Sequence, residues 1–510
     1  MRILHAWLLA GLALPVTGRA ADAATPTARS RAKAALDRIA QLDAKGPSLR
    51  AMIELNPDAL AIAEEVDKKR PPPHAPLWGE PIVVKDNIDT GDKMQTSAGS
   101  LALLGSPAPK DATVVAKLRE SGLVLIGKTN LSEWANIRSS HSTSGWSARG
   151  GQTRNPYALS RNPCGSSSGS GTAVAAGYTA IAIGTETDGS IVCPSAVNGI
   201  VGLKPTVGLV SRAGIVPISH SQDTAGPMAI DVTHVAQLLN VIAGPDPRDP
   251  ATTDAGQHLA DYTRALDPRA LKGARIGVVR KLAGIDAAVD HVLDAAIETI
   301  MGAGASVIDI ELPHLGEYGD DELTLMTYEL KEDLNAYLAT RKGVPVRTLA
   351  DLIAFDKKEA AREMPWFQQE LFEKSQERGP LTEKAYLDAL AKARKLAGPE
   401  GIDAALAKDH LDALLAPTVE VAWLTDWVAG DNVPGPSSST PAAVAGYPDI
   451  TVPAAYIHGL PVGISFFGAK WGEAKLIGLA YAFEQLTRVR KPPTFPVDVV
   501  QMIETPSATR

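Results

Sequence analysis

Two serines in a glycine-rich stretch are the residues of this chain best suited to chemistry. Ser166 lies in the run CGSSSGSG (164–171), and Ser190 follows it 24 residues later, at the end of the run GTETDGS (184–190). A serine attacks a carbonyl carbon when a neighbouring base takes its proton. Histidine is the usual base, but none occurs between residues 162 and 190. If these serines are catalytic, the base has to come from another segment.

Lys85 is the candidate base. The β-branched run PIVVKD (81–86) predicts a buried strand that ends at this lysine. A lysine accepts a proton only when it is neutral, so its pKa has to fall from about 10.4 to near 7, at a cost of about 4 kcal/mol. Burial away from carboxylates would lower the pKa in this direction. The alternative is an exposed lysine at the strand end, paired with Asp86 or Asp89, and spacing alone favours that alternative.

Two literal motif matches suggest other chemistry. The run GLVLIGKT (122–129) matches a phosphate-binding loop, but its four variable residues are typical of a strand, which argues against a phosphate cradle. The run GSSSG (165–169) matches a nucleophile elbow with Ser167 as nucleophile, but the residues before it do not predict the strand that an elbow follows. A triad with His410 or His458 as base is the alternative form of that hypothesis.

A flexible linker is the simplest alternative for the stretch rich in serine and glycine. However, a small-residue helix (172–177) and an apolar strand (179–183) are predicted directly after it, and both have to be buried. Ser190 then lies just beyond the end of a strand, as Lys85 does. Ligand sites of α/β sheets gather at the carboxyl ends of strands, so the two placements agree.

Composition and charge narrow the class of partner. The chain of 510 residues is 45% hydrophobic and 21% charged, which is typical of a soluble globular protein. Its net charge of -8 argues against nucleic acid or an anionic membrane as the main partner. A small neutral or amide substrate fits better.

Residues 1–20 have the pattern of an export signal: a basic residue, an apolar run and a small-x-small cleavage site. Cleavage after Ala23 is an alternative. We therefore expect a periplasmic or secreted protein without a membrane span, since no later apolar run is long enough to cross a bilayer. Export permits disulfides, and the two cysteines are Cys164 and Cys193. A disulfide between them and two free buried thiols are both consistent with the sequence.

The rest of the chain predicts alternating helices and strands. Helical patterns cover much of 29–70, and Asp111 is a suitable N-cap for a helix at 112–120. Residues 322–395 are charged and helical in period, which predicts a helical insertion beside the core. Short strands are predicted at 123–126, 413–416, 450–452 and 462–466, and a surface loop at 433–441.

These residues resemble the amidase signature family, serine hydrolases that use a Ser-Ser-Lys triad. The likeness runs from about residue 48 onward and is weakest at 322–395. It implies an α/β fold with a single large domain (29–510), in which helices cover both faces of a central mixed, twisted β-sheet, with a helical insertion at about 315–400. No cofactor or metal is expected. The segments that look like core blocks of the family are 79–88, 111–115, 127–133, 153–157, 199–208 and 459–463.

The resemblance also assigns roles. Lys85 corresponds to the base, Ser166 to the relay serine that follows an unusual cis peptide, and Ser190 to the nucleophile. The spacing of the two serines matches the family and selects Ser166 over Ser167 or Ser168 as the relay. The implied oxyanion hole consists of the backbone N–H groups of Thr187, Asp188, Gly189 and Ser190.

Departures from the family pattern bear on the substrate. Cys164 and Ser168 stand where glycines are usual, and Glu186 and Asp188 replace the usual Asp and Gly before the nucleophile. An arginine that many members place shortly after the nucleophile is absent from 191–194, which disfavours small anionic substrates and the glutaminyl-tRNA amidotransferase subunit. The variants resemble most the bacterial peptide amidases, which remove the C-terminal carboxamide of peptides. Fatty-acid or aryl amides are the alternative substrates, and a non-catalytic binding protein on the same fold is the alternative outside the enzymes.

Overall fold

The apolar runs of the sequence form the strands of one large sheet. The computed structural model describes residues 26–501, and within that range eleven strands join in a mixed sheet while two more form a separate pair, β4 with β5. The strands are β1 (Met52–Leu55), β2 (Pro81–Lys85), β3 (Val124–Thr129), β4 (Trp146–Ser147), β5 (Gly151–Gln152), β6 (Ile181–Glu186), β7 (Val201–Lys204), β8 (Thr224–Ala229), β9 (Arg275–Val279), β10 (Ser306–Ile310), β11 (Ala413–Pro417), β12 (Asp449–Ile457) and β13 (Leu460–Phe467).

The order of the strands places the candidate residues together. The large sheet runs β1-β3-β2-β6-β8-β7-β12-β13-β11-β9-β10. The strand β2 pairs in parallel with both β3 and β6, and Val84 of β2 lies opposite Ile183 of β6. Because parallel neighbours end at the same edge of a sheet, Lys85 lies beside the carboxyl end of β6, from which the chain continues to Ser190.

Helices cover both faces of this sheet because side chains alternate along each strand. Ile82 and Val84 of β2 belong to a core shared with α3, α6, α8 and α16, whereas Val83 belongs to a second core shared with α1, α2 and α4. The α-helices are α1 (Ala28–Leu42), α2 (Ala59–Asp67), α3 (Thr113–Glu120), α4 (Ser168–Ala175), α5 (Val192–Val197), α6 (Val232–Ile242), α7 (Ala255–His258), α8 (Ala287–Gly302), α9 (Gly319–Thr340), α10 (Leu349–Lys358), α11 (Ala360–Glu363), α12 (Glu370–Gln376), α13 (Lys384–Ala397), α14 (Ala404–Asp409), α15 (Ser439–Ala445) and α16 (Glu473–Thr487). The prediction of a mixed sheet covered on both faces is confirmed.

Some local predictions were wrong. The carboxylate of Asp111 does not cap α3; it accepts hydrogen bonds from the N–H of Gly91 and from Arg119, and Ala112 occupies the N-cap position. The segment 433–441 is not simply a surface loop. It ends in the first turn of α15, where Ser438 and Ser439 are fully buried.

Helices α9 to α13 occupy 319–397, within the range of the predicted insertion. Leu330 and Leu334 of α9 share a buried cluster with Trp134, Ile137 and Val216 of the core, so this helical segment packs against the sheet domain. None of the helices in residues 26–501 is long and apolar enough to cross a membrane. The predicted export signal (1–20) lies outside the residues that the structure describes.

Candidate active site

Lys85 is fully buried at the end of β2, where its amine meets hydroxyl groups. Its Nζ lies 2.7 Å from Ser166 Oγ and 2.8 Å from Thr185 Oγ1. Burial lowers the pKa of Lys85 to about 7, although the negative charges of Asp223 and Glu186 act in the opposite direction. A large share of the lysine is therefore neutral at physiological pH, as a base requires.

The two predicted serines lie together next to this lysine. Ser166 Oγ is 2.9 Å from Ser190 Oγ, which completes a hydrogen-bonded chain from Lys85. The peptide bond between Gly165 and Ser166 is cis. A side chain at Gly165 would not fit, because a Cβ there would lie 2.1 Å from Ser132 Oγ. The sequence therefore needs glycine directly before the relay serine.

The competing assignments do not fit the structure. Ser167 Oγ donates to the backbone carbonyl of Thr185 and is thus engaged in holding α4 against β6. His410 and His458 are exposed, so neither is placed like the buried base of a triad. The nucleophile-elbow hypothesis therefore has no base among these residues.

Lys85 does not pair with Asp86 or Asp89, which was the alternative that spacing favoured. Asp86 lies 3.4 Å from the Nζ of Lys128, and Asp89 accepts a hydrogen bond from the hydroxyl of Tyr337. Lys128, the lysine of the phosphate-loop match, is itself buried inside β3. The run 124–129 is a strand, so it forms no phosphate cradle.

The four residues that end at Ser190 expose backbone donors at this site. Among residues 26–501, no protein acceptor takes the N–H groups of Thr187, Asp188, Gly189 or Ser190. Gly189 adopts a φ of +78°, a left-handed conformation that favours glycine. Buried N–H groups are normally paired, so these donors are suited to a ligand oxygen.

Side chains of the same segment hold it in place, and sequence analysis missed these contacts. Glu186 accepts hydrogen bonds from the N–H groups of Ile191 and Val192, at the start of α5 behind the nucleophile. Thr187 Oγ1 donates to Asp223 over 2.6 Å. The Asp223 partner lies far away in sequence, so no local pattern indicated it.

The two cysteines, whose state the sequence left open, form a disulfide. Cys164 precedes the relay serine by two residues, and Cys193 follows the nucleophile by three. The bond is buried beside Val419 and Trp423. It therefore joins the loop that carries Ser166 to the helix that follows Ser190.

A cavity of about 530 Å³ opens beside Lys85, between the edge of the sheet and α9. Its walls include Asn87, Thr185, Thr187 and Asp223, so it reaches the hydroxyl group that contacts the lysine amine. The rest of the lining comes mainly from 212–218 and from α9. The site thus has room for a small organic molecule next to its ionisable groups.

A second group of titratable side chains, His220, Glu329 and Asp333, has the spacing of a cation site. The Glu329 carboxylate is already engaged by the hydroxyls of Ser221 and Tyr386, and the Nδ1 atom of His220 lies 2.8 Å from Asp333. These bonds link 219–221 to α9, so the group connects the core with the helical segment.

Comparisons with known proteins match the same part of the chain. A model of the amidase family matches residues 32–477. The structure of native peptide amidase from Stenotrophomonas maltophilia is similar with a TM-score of 0.87 and 53% identity, covering 92% of this chain and 95% of that one. A probable amidase of Arabidopsis thaliana is 43% identical and covers 90% of this chain and 87% of its own length. A glutamyl-tRNA(Gln) amidotransferase subunit of Symbiobacterium thermophilum is 36% identical, with 90% and 93% covered.

Fold and comparisons together define a hydrolase that acts on amide C–N bonds. The chain belongs to the amidase family, as the resemblance in its sequence predicted.

Proposed function

We propose that this enzyme removes the C-terminal amide of peptides, with Ser190 as nucleophile, Ser166 as relay and Lys85 as base. The observation that carries the proposal is the path from Lys85 Nζ through Ser166 Oγ to Ser190 Oγ, with steps of 2.7 and 2.9 Å. Support for peptides as substrates is the 53% identity to a peptide amidase, against 36% to the amidotransferase subunit.

In the acylation step, neutral Lys85 accepts a proton from Ser166 while Ser166 accepts the proton of Ser190. The Ser190 oxygen forms a bond to the carbonyl carbon of the amide. The resulting oxyanion receives hydrogen bonds from the free N–H groups of residues 187–190. The C–N bond then breaks, and the relay returns one proton to the departing nitrogen, which leaves as ammonia.

In the deacylation step, water attacks the ester formed between Ser190 and the acyl group. The same relay takes a proton from the water and returns it to the Ser190 oxygen as the ester bond breaks. The products are the peptide acid and the free enzyme. Each half-reaction therefore starts and ends with neutral Lys85.

Replacement of the nucleophile tests this mechanism. We expect Ser190→Ala to lose hydrolysis and covalent labelling by a fluorophosphonate, because both need the Ser190 oxygen. Ser167→Ala is the matched control, since the Ser167 hydroxyl contacts only backbone atoms of Thr185. Full activity in Ser190→Ala would sink the mechanism.

A substrate panel tests the peptide specificity. Ammonia release is measured for a dipeptide amide, a primary fatty-acid amide and an aryl amide, each at several concentrations. We expect the dipeptide amide to have the highest kcat/KM by at least about tenfold, the discrimination that a few well-placed contacts supply. Faster release from a fatty-acid or aryl amide would leave amide hydrolysis intact and refute the narrower substrate.

We also propose that the enzyme is exported, with residues 1–20 as the signal. The buried Cys164–Cys193 disulfide supports this proposal, because such bonds persist in oxidising compartments. Expression of the full chain and of a chain lacking 2–20, followed by fractionation, tests it. Equal recovery of both proteins from the cytoplasm would contradict export.

A further inference from the structure

The side chain of Asp188 has no role in the proposed reaction, yet it is tightly held. Residues 187–190, here called the nucleophile loop, connect β6 to the turn before α5. Asp188 Oδ1 accepts a hydrogen bond of 2.5 Å from Ser439 Oγ, and Oδ2 accepts one of 2.6 Å from Thr440 Oγ1. The family pattern described above has glycine at this position. Both donors belong to a part of the chain that is distant in sequence.

The nucleophile loop depends on such contacts because its N–H groups bind nothing in residues 26–501 of the protein. Its third residue, Gly189, has no side chain and packs closely, since a Cβ there would lie 3.1 Å from Ser439 Oγ. The side chains of Thr187 and Asp188 therefore hold the donor side of the loop. Thr187 bonds to Asp223, before β8, and Asp188 bonds to α15, so the loop is attached to two separate walls.

A carboxylate near a developing oxyanion would oppose catalysis if its charge faced the substrate. Here both oxygens of Asp188 face hydroxyl donors, which hold the charge away from the N–H groups of the loop. The neighbouring carboxyl, Glu322, has its pKa raised to about 8 by burial and by the charge of Asp188. Glu322 is thus mainly uncharged at neutral pH and adds little second negative charge to the site.

We infer that Asp188 is a positioning residue. By accepting hydrogen bonds from Ser439 and Thr440, it fixes the direction of the backbone donors of the nucleophile loop. This role replaces the glycine of the family pattern with an anchored side chain, and it makes the turnover rate depend on the start of α15. The inference rests on the proposed function, because it needs those donors to serve an oxyanion.

The test compares variants on both sides of the contact. We expect Asp188→Gly to lower kcat about 10- to 100-fold while KM changes less than about threefold, since only interactions made in the transition state are lost. The double variant Ser439→Ala, Thr440→Val removes the donors without altering the loop, and we expect a similar loss. Asp188→Asn keeps a carbonyl acceptor, so it should recover part of the rate.

The matched control is Asp246→Gly. Asp246 is another buried carboxylate that accepts hydrogen bonds from one threonine and one serine, Thr113 and Ser211, but it lies outside the nucleophile loop. We expect this variant to lose thermal stability with kcat within about twofold of wild type, as for any substitution that removes only structural contacts. A kcat loss in Asp246→Gly equal to that of Asp188→Gly would assign the effect to general destabilisation and overturn the inference.

A double-mutant cycle gives the sharpest result. If Asp188 acts through the two hydroxyls, adding Ser439→Ala and Thr440→Val to Asp188→Gly should change kcat by less than about twofold. Losses that multiply, or wild-type kcat in Asp188→Gly, would overturn the inference. In either case Ser190→Ala separates the two proposals: loss of activity in that variant keeps the mechanism, whereas retained activity removes the mechanism itself.

Discussion

Two fully buried lysines on neighbouring parallel strands have different surroundings. Lys85 at the end of β2 contacts the hydroxyls of Ser166 and Thr185, whereas Lys128 on β3 lies 3.4 Å from the Asp86 carboxylate and donates to the carbonyl of Ile88. Burial lowers the pKa of both, but the charge of Asp86 opposes the change most strongly at Lys128. The comparison teaches that the partner determines the role: a carboxylate keeps a buried lysine charged, and hydroxyls allow it to be a base.

The largest expected difference between the two lysines is in activity. We expect Lys85→Met to lower kcat at least about a thousandfold, because loss of a base that activates a nucleophile removes most of its reactivity. Lys128→Met is the matched control, with the same substitution one strand away, and its folded fraction should retain most of the wild-type kcat. Comparable losses in both variants would remove the functional distinction.

The pH dependence of stability should follow the same distinction. The folded pKa of Lys85 is about 7, below the unfolded value of 10.5, so between these pH values the unfolded chain binds more protons. The wild-type free energy of unfolding therefore gains stability from this group as pH rises through that window. We expect Lys85→Met to be more stable than wild type near pH 7 and this advantage to shrink by about 5 kcal/mol towards pH 10.5. Denaturant titrations of both proteins measure it, and an advantage independent of pH would contradict the low pKa.

Lys128→Met should act on stability in the opposite direction. Removal of one partner from a buried ion pair leaves an uncompensated charge, here on Asp86. We expect a loss of about 3 kcal/mol, the low end of the usual range, because Arg149 still lies 3.4 Å from the same carboxylate. Adding Asp86→Asn should restore part of this loss in denaturant unfolding. No recovery would show that the pair is not the cause.

The smallest expected effect is a shift of the activity profile by Asp223→Asn. The Asp223 charge raises the pKa of Lys85, so removing it should lower that pKa and move the acid limb of kcat/KM to lower pH. A shift of up to about one pH unit is reasonable for a single neighbouring charge. The rate at the plateau will also fall, because Asp223 holds Thr187, so the midpoint rather than the height is compared. An acid limb that moves to higher pH would contradict this electrostatic relation.

The sequence was sufficient for the parts of this comparison that depend on local pattern. The strand ending at Lys85 follows from its β-branched run, and the missing histidine directed the search to a lysine. Resemblance to a family then distinguished Ser166 from Ser167, which residue types alone did not. The mixed sheet and its helices also followed from apolar periodicity together with that resemblance.

What sequence analysis missed depends on contacts between distant segments. Asp111 looked like an N-cap, but Arg119 and the N–H of Gly91 compete for its carboxylate. The serines near residue 439 looked like part of a surface loop because nothing nearby indicates that Asp188 accepts a hydrogen bond there. The pairing of Cys164 with Cys193 likewise needed the spatial meeting of the two serine segments. Local propensity carries no information on such partners.

The rate of fluorophosphonate labelling of Ser190 as a function of pH tests the central claim most directly, because it measures activation of the nucleophile without product release. The structure predicts a rate that rises with pH around a midpoint of about 7, where Lys85 becomes neutral, and a rate in Lys85→Met that is far lower at every pH. A labelling rate that is the same at about pH 5 and about pH 9, or undiminished labelling in Lys85→Met, would contradict a base with a pKa so far below that of an ordinary lysine.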